Sequence, residues 1–169
     1  MVEKIKLVFK DLQAMQPVRI EEIPSILKAH NTHLFKGEKF TAGGKHDKFK
    51  SWLVAHGNEQ DSTIYTYRSS PTVVIQSLMT CLTLAACNNG CKMGKQDVKG
   101  AFIQTEMSKI PVYVQCRGKL KDLILRVLPE LKKYVDDDGV LYCKLHKALY
   151  SCVQASKLWY EKLQSETDP

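Results

Sequence analysis

Two extended runs, Thr32 to Phe40 and Phe49 to Ala55, flank the segment Thr41-Ala42-Gly43-Gly44-Lys45. Adjacent glycines between strand-forming runs supply the positive φ values that a tight reversal demands, so the stretch reads as a two-stranded arm with a basic tip. Strand and helix signals then mix without regular β-α alternation and without an internal repeat. That pattern favours an α+β fold, with a mixed, mainly antiparallel sheet and packed helices.

The rest of the chain divides at its breakers. Residues 1–31, interrupted by Pro17 and Pro24, read as a leader with one or two helical turns, and residues 32–169 as the folded unit. Ser70-Pro71 reads as a cap with proline at the first helical position, and Asn88-Asn89-Gly90 as the end of that helix. Polar residues at 76, 77, 80 and 83 fall on one face, leaving Val74, Leu78, Cys81, Leu82 and Ala85 to pack on a sheet. A short strand is predicted from Lys92 to Val98 with Asp97 at its end, then a helical turn through Met107 and a β-rich run from Pro111 to Gln115. Leu120, Leu123, Ile124, Val127, Leu128 and Leu131 trace one helix stripe that Pro129 should break or restart. Asp136-Asp137-Asp138-Gly139 turns the chain into Val140 to Leu145, and a closing helix runs through Trp159 and Leu163.

At 169 residues and 44% hydrophobic content, the chain can bury a single core. The apolar run from Val73 to Cys87 is interrupted by Gln76, Ser77, Thr80 and Thr83, and the N-terminus lacks the apolar core of a secretory signal, so no membrane partner and an intracellular location are expected. Six cysteines form no C-x-x-C pair and read as small buried apolar residues, with no disulfide or structural metal assigned. The net charge is +7, and between Lys92 and Lys133 ten Lys or Arg face four Asp or Glu. Such an excess suits a phosphate-bearing partner, or else is a solvated basic face.

Chemistry is concentrated in Lys95-Gln96-Asp97-Val98-Lys99-Gly100-Ala101-Phe102 and, about fifty residues on, Leu149-Tyr150-Ser151-Cys152-Val153-Gln154-Ala155-Ser156-Lys157-Leu158-Trp159-Tyr160. An aspartate at a strand end before a tight helix entry can supply a metal-binding carboxylate beside the backbone carbonyl of Val98, although it also reads as a helix cap or surface residue. In order and spacing, the two segments resemble the first and second active-site motifs of copia-type retrotransposon reverse transcriptases, over about Phe35 to Leu163. The resemblance implies polymerase fingers and a partial palm, with Asp97 and Val98 holding Mg²⁺. It makes Phe102 the steric gate beneath the incoming sugar, where the bland reading is a core aromatic, and puts Gln154 against the incoming nucleotide. A neutral amide can do this without repelling phosphate. Lys48 and Lys50 of the arm would close over the triphosphate, or are solvated strand residues. The implied partners are an RNA template, a DNA primer and deoxynucleotide triphosphates, in the cytoplasm or in virus-like particles.

Several positions depart from the family pattern. Trp52 stands where arginine is usual, Gln96 where an apolar residue precedes the aspartate, and Ser151 where glycine completes Leu-Tyr-Gly. The third motif, which carries the remaining catalytic aspartates, is expected after the second and is not found there. Tyr134-Val135-Asp136-Asp137 matches its letters, but lies between the first two motifs and runs into a turn signal. Gly90-Cys91-Lys92-Met93-Gly94-Lys95 lacks both the spacing and the Ser or Thr of a phosphate loop. The reading is the N-terminal part of an RNA-directed DNA polymerase, inactive alone; the rivals are a non-catalytic basic nucleic-acid-binding relic or domesticated fragment, and a small protein-interaction module.

Overall fold

The computed structural model describes residues 1–61, 63–64, 70–88, 90–107 and 110–167. Helix α1 (Val2–Lys6) runs into a π-helical turn at Leu7–Asp11, and strand β1 (Met15–Pro17) follows. The arm is β2 (Ala29–Phe40) with β3 (His46–Ala55), and helix α2 spans Ile75–Cys87. Strand β4 (Val112–Cys116), helix α3 (Gly118–Val127), strand β5 (Leu141–Leu145) and helix α4 (Ala155–Thr167) complete the order. The strands form one sheet in the order β1-β5-β4-β2-β3, antiparallel at every junction except β2 with β4.

Alternation along β4 and β5 explains where the core sits. Val112, Val114 and Cys116 point one way with Leu141, Cys143 and Leu145, and meet Ile5, Val8, Leu120 and Ile124 from α1, its π turn and α3. Tyr113 and Tyr142 point the other way, under a smaller cluster with Val18 and Val140. The first 31 residues thus enter the same packing as the rest: Val8 and Ala14 are fully buried, and β1 pairs with β5. Burying side chains of this size is worth about 1.5–3 kcal/mol each. The α3 stripe ends where Pro129 starts a 3-10 turn, Pro129–Tyr134, as its missing N–H requires.

Several sequence expectations fail. The run 92–98 is irregular backbone rather than a strand, because a strand needs a hydrogen-bonding neighbour and among the described residues none lies beside it. Helix α2 starts at Ile75, not at Ser70-Pro71, since Val74 stays extended. It also packs on no sheet: none of its residues is buried, and Leu78 and Leu82 stay exposed. Its exposure carries Cys81 and Cys87 into solvent along with Cys91 of the following loop, so only Cys116, Cys143 and Cys152 are the buried cysteines expected. Asn89 of the expected helix stop lies outside the described residues. Among the described residues no helix is long and apolar enough to cross a membrane.

The arm leaves the sheet early. Only Ala29 to Asn31 of β2 pair with β4, whereas β2 and β3 pair from Thr32 with Ala55 out to Phe40 with His46. Its turn closes through Thr41 N to Lys45 O at 2.8 Å, and Gly44 takes φ +76°. The base is fixed by Glu59, which accepts from Asn31 N (3.0 Å) and Asn31 Nδ2 (2.9 Å) and lies 3.1 Å from His56 Nδ1.

These bonds, the Asn31 side chain first, hold the Glu59 carboxyl down from 4.5 to about 2, against the opposing effect of partial burial. Its folded value lies below its unfolded one. The stabilisation is therefore fully present above about pH 4.5 and is lost as pH falls from there toward 2. Urea midpoints of the wild type and Glu59→Gln, measured from pH 6 to pH 2, should converge across that window; a constant gap would show that Glu59 does not carry the effect.

Candidate functional site

The turn after the irregular run is built locally. Gly100 takes φ +65°, Gln104 Nε2 donates to Lys99 O at 2.7 Å, and Thr105 Oγ1 donates to Ala101 O at 3.2 Å. This sets Phe102–Gln104 as one 3-10 turn, with Phe102 half-buried and edge-on to Tyr150 at 5.3 Å between ring centres. The turn is tied to the second segment by main-chain bonds, Ala148 N to Thr105 O (2.9 Å) and Met107 N to His146 O (2.8 Å). Residues about forty apart in sequence are thus joined edge to edge.

Asp97 is exposed and, with half-buried Val98, lines an open groove of about 670 Å³ between this turn and Trp159, Lys162 and Leu163 of α4. Gln96 lines the same groove. The other expected site residues are elsewhere. Lys48 and Lys50 project from the outer half of the arm, and Gln154 is 4% exposed, its Oε1 accepting from Gln60 Nε2 at 3.4 Å while its own Nε2 has no partner among the described residues. Its amide faces the interior rather than the Asp97 groove.

Tyr134 closes the 3-10 turn, and the segment Tyr134 to Asp137 runs into a reversal at Asp136 to Gly139. Asp136 Oδ1 accepts from Val140 N at 2.6 Å, Gly139 N donates to Asp136 O, and Gly139 takes φ +73°.

Sequence reasoning missed the support beneath the second segment. Gln60 is buried, and its Oε1 accepts from Val153 N at 2.7 Å. Ala55 N donates to Tyr150 O at 3.0 Å, adding Tyr150 to the outer edge of β3. Gly57 lies so close to Ser151 that a Cβ there would stand 1.8 Å from the Ser151 carbonyl oxygen. Gln60 carries no signal beyond being an amide next to a turn, so nothing in composition or spacing marks it.

Ser151 sits at φ +67°, where its Cβ is strained. Ser151→Gly should raise stability by about 1 kcal/mol by relieving that strain. Gly57→Ala should lower it by about 1–3 kcal/mol through overpacking against a backbone that has no room to yield. Denaturant unfolding of both variants measures this. Equal midpoints would mean the 151 backbone relaxes freely.

Two carboxylates line the groove, Asp97 beside the Val98 carbonyl and Glu166, which is paired with Lys162 at 2.6 Å, and among the described residues no group of three or more His, Cys, Asp or Glu could hold a metal ion. That set does not fit two divalent ions about 4 Å apart, which need several bridging carboxylates.

No family model matches the chain, and no solved structure matches it. It is 29% identical over 130 residues to the retrovirus-related Pol polyproteins from transposons RE1 and RE2 of Arabidopsis thaliana, each alignment covering 76% of this chain. It is 32% identical over 119 residues, 70% of the chain, to the retrovirus-related Pol polyprotein from transposon TNT 1-94 of Nicotiana tabacum. The matched region spans 8% of the length of each of these relatives. The chain is thus related to a segment of transposon-encoded Pol polyproteins.

Proposed function

We propose that this segment is the fingers and partial palm of an RNA-directed DNA polymerase of a copia-type retrotransposon. The observation that carries the reading is the joining of the two motif segments: Thr105 and Met107, just after the first, bond to Ala148 and His146, just before the second, and Phe102 meets Tyr150. Similarity to transposon Pol polyproteins supports it independently.

In this reading Asp97 and Val98 form one corner of a Mg²⁺ site, and further carboxylates must come from another part of the Pol polypeptide. Phe102 meets the sugar of the incoming nucleotide, and Lys48 and Lys50 reach its triphosphate from the arm. Gln154 requires its amide to turn outward from Gln60, and its unpartnered Nε2 is the donor such a turn would employ. Template RNA and primer DNA lie across the groove beside Asp97. A second reading, a non-catalytic nucleic-acid-binding fragment, is favoured by the groove's second carboxylate, Glu166, being taken up by Lys162.

The isolated chain should show no primer extension. In a chimera carrying this chain, with Ser151→Gly, in place of the matched segment of the tobacco polyprotein, Mg²⁺-dependent synthesis on an RNA template should appear and vanish in Asp97→Asn. Synthesis indifferent to Asp97, or a folded chimera inert in every form, counts against the reading.

A further inference from the structure

Two buried carboxamides meet at Gln60 and Gln154, and they are held unequally. Gln60 ends the 3-10 turn Gly57–Glu59, its N–H donating to Gly57 O at 3.1 Å, and is 7% exposed. The neighbouring Glu59 ties that turn to Asn31. The side-chain Oε1 of Gln60 accepts from Val153 N at 2.7 Å. A main-chain N–H cannot rotate away, so this bond settles which end of the Gln60 carboxamide faces Val153 and which faces Gln154.

Gln154 has to fit the end that remains. Gln60 offers it only an N–H, so Gln154 presents Oε1, at 3.4 Å, and its own Nε2 is turned to where no acceptor stands among the described residues. The contact is long for a hydrogen bond, and a buried donor without an acceptor gives up its hydration for nothing. The Gln154 backbone, by contrast, is fixed: its carbonyl accepts from Leu158 N at 3.0 Å as α4 begins, and Ala155 N donates to Cys152 O at 3.1 Å. Only side-chain torsions separate the inward position from an outward one.

We propose that Gln60 is a positioning residue, which stores the Gln154 carboxamide inward and, by denying its Nε2 an acceptor, leaves it ready to turn toward the incoming nucleotide. What Gln154 meets on turning rests on the polymerase reading; the storage does not. The unpaired donor specifies an oxygen acceptor on the ligand, such as a sugar hydroxyl or a base carbonyl. Gln60→Glu separates the two tasks of this residue. Its carboxylate still accepts from Val153 N but has no N–H to give, so Gln154 must rotate its amide and donate Nε2 to it, a stronger bond that locks the amide inward. When protonated, the same carboxyl offers one donor and one acceptor and copies the native amide. Burial and the adjacent Glu59 and Asp61 raise the pH at which it ionises.

The direct test is solvent exchange of the Gln154 Nε2 hydrogens in the isolated chain, followed by NMR from pH 5.5 to pH 8. The rate in Gln60→Glu relative to wild type should be near one at the acid end and fall about tenfold at the alkaline end, as a charge-assisted bond forms. Wild type carries the same histidines and other carboxylates and controls for their titration. In the polymerase chimera with Ser151→Gly, Gln60→Glu should raise KM for deoxynucleotide about tenfold at pH 8 with kcat little changed, and add nothing once Gln154→Ala is present. A second measurement needs no buried charge. Gln154→Met exchanges one unpaired donor for another and should leave the urea midpoint in place, whereas Gln60→Met strands the Val153 N–H and should lower it. A rate ratio flat with pH, an unchanged KM in an active chimera, or equal midpoint losses in the two Met variants would each overturn the proposal. A chimera inert in every form counts against the polymerase reading alone, and the exchange and midpoint results then decide on Gln60.

Discussion

The contact on which the rest depends is the clamp between residues 57–60 and 150–154. Gly57 admits the Ser151 carbonyl where a Cβ would collide, Gln60 satisfies the Val153 N–H, and Ala55 satisfies the Tyr150 carbonyl. A buried N–H left without a partner costs about 1–3 kcal/mol, so Gln60 determines whether the second segment can be buried at all. The same stretch reaches the arm through Glu59 and Asn31. A few residues of one short turn therefore fix both the base of the arm and the course of the chain before α4. Strain at Ser151 persists because this surround over-determines it.

The parts of the fold visible in the sequence are those governed by local chemistry. The double glycine predicts the arm, the stripe from Leu120 with Pro129 predicts α3 and its restart as a 3-10 turn, and Asp136 to Gly139 predicts the turn into β5. The strand at 92–98 and the packed α2 failed for one shared reason. Both depend on a neighbouring surface, and neither has one among the described residues. Pattern alone reports which face a segment could bury, not whether anything arrives to cover it.

The candidate site was legible to a similar degree. Asp97 sits in the irregular run just before the turn that holds Phe102, and that turn adjoins the stretch before the second segment. The inward amide of Gln154 was not legible, because it is set by Gln60, ninety-four residues away in sequence. Which residues share a face of the arm also escapes a linear reading: Lys48 and Phe49 are adjacent in sequence yet point to opposite sides, and only the register shows which residues they join.

Helix α2 has a consequence for the chain as a physical object. A thirteen-residue helix without a packed face is near the limit of stability in water, where nucleation costs are barely recovered by so few turns. Thr80 and Thr83 bond back to carbonyls four residues earlier, which offers the backbone little extra support. Amides of α2 should then exchange with solvent long before those of β4 and β5, and limited proteolysis should cut there first. The protein consists of a slow-opening sheet and core joined to a fast-opening helix, two regions whose lifetimes differ although they share one chain.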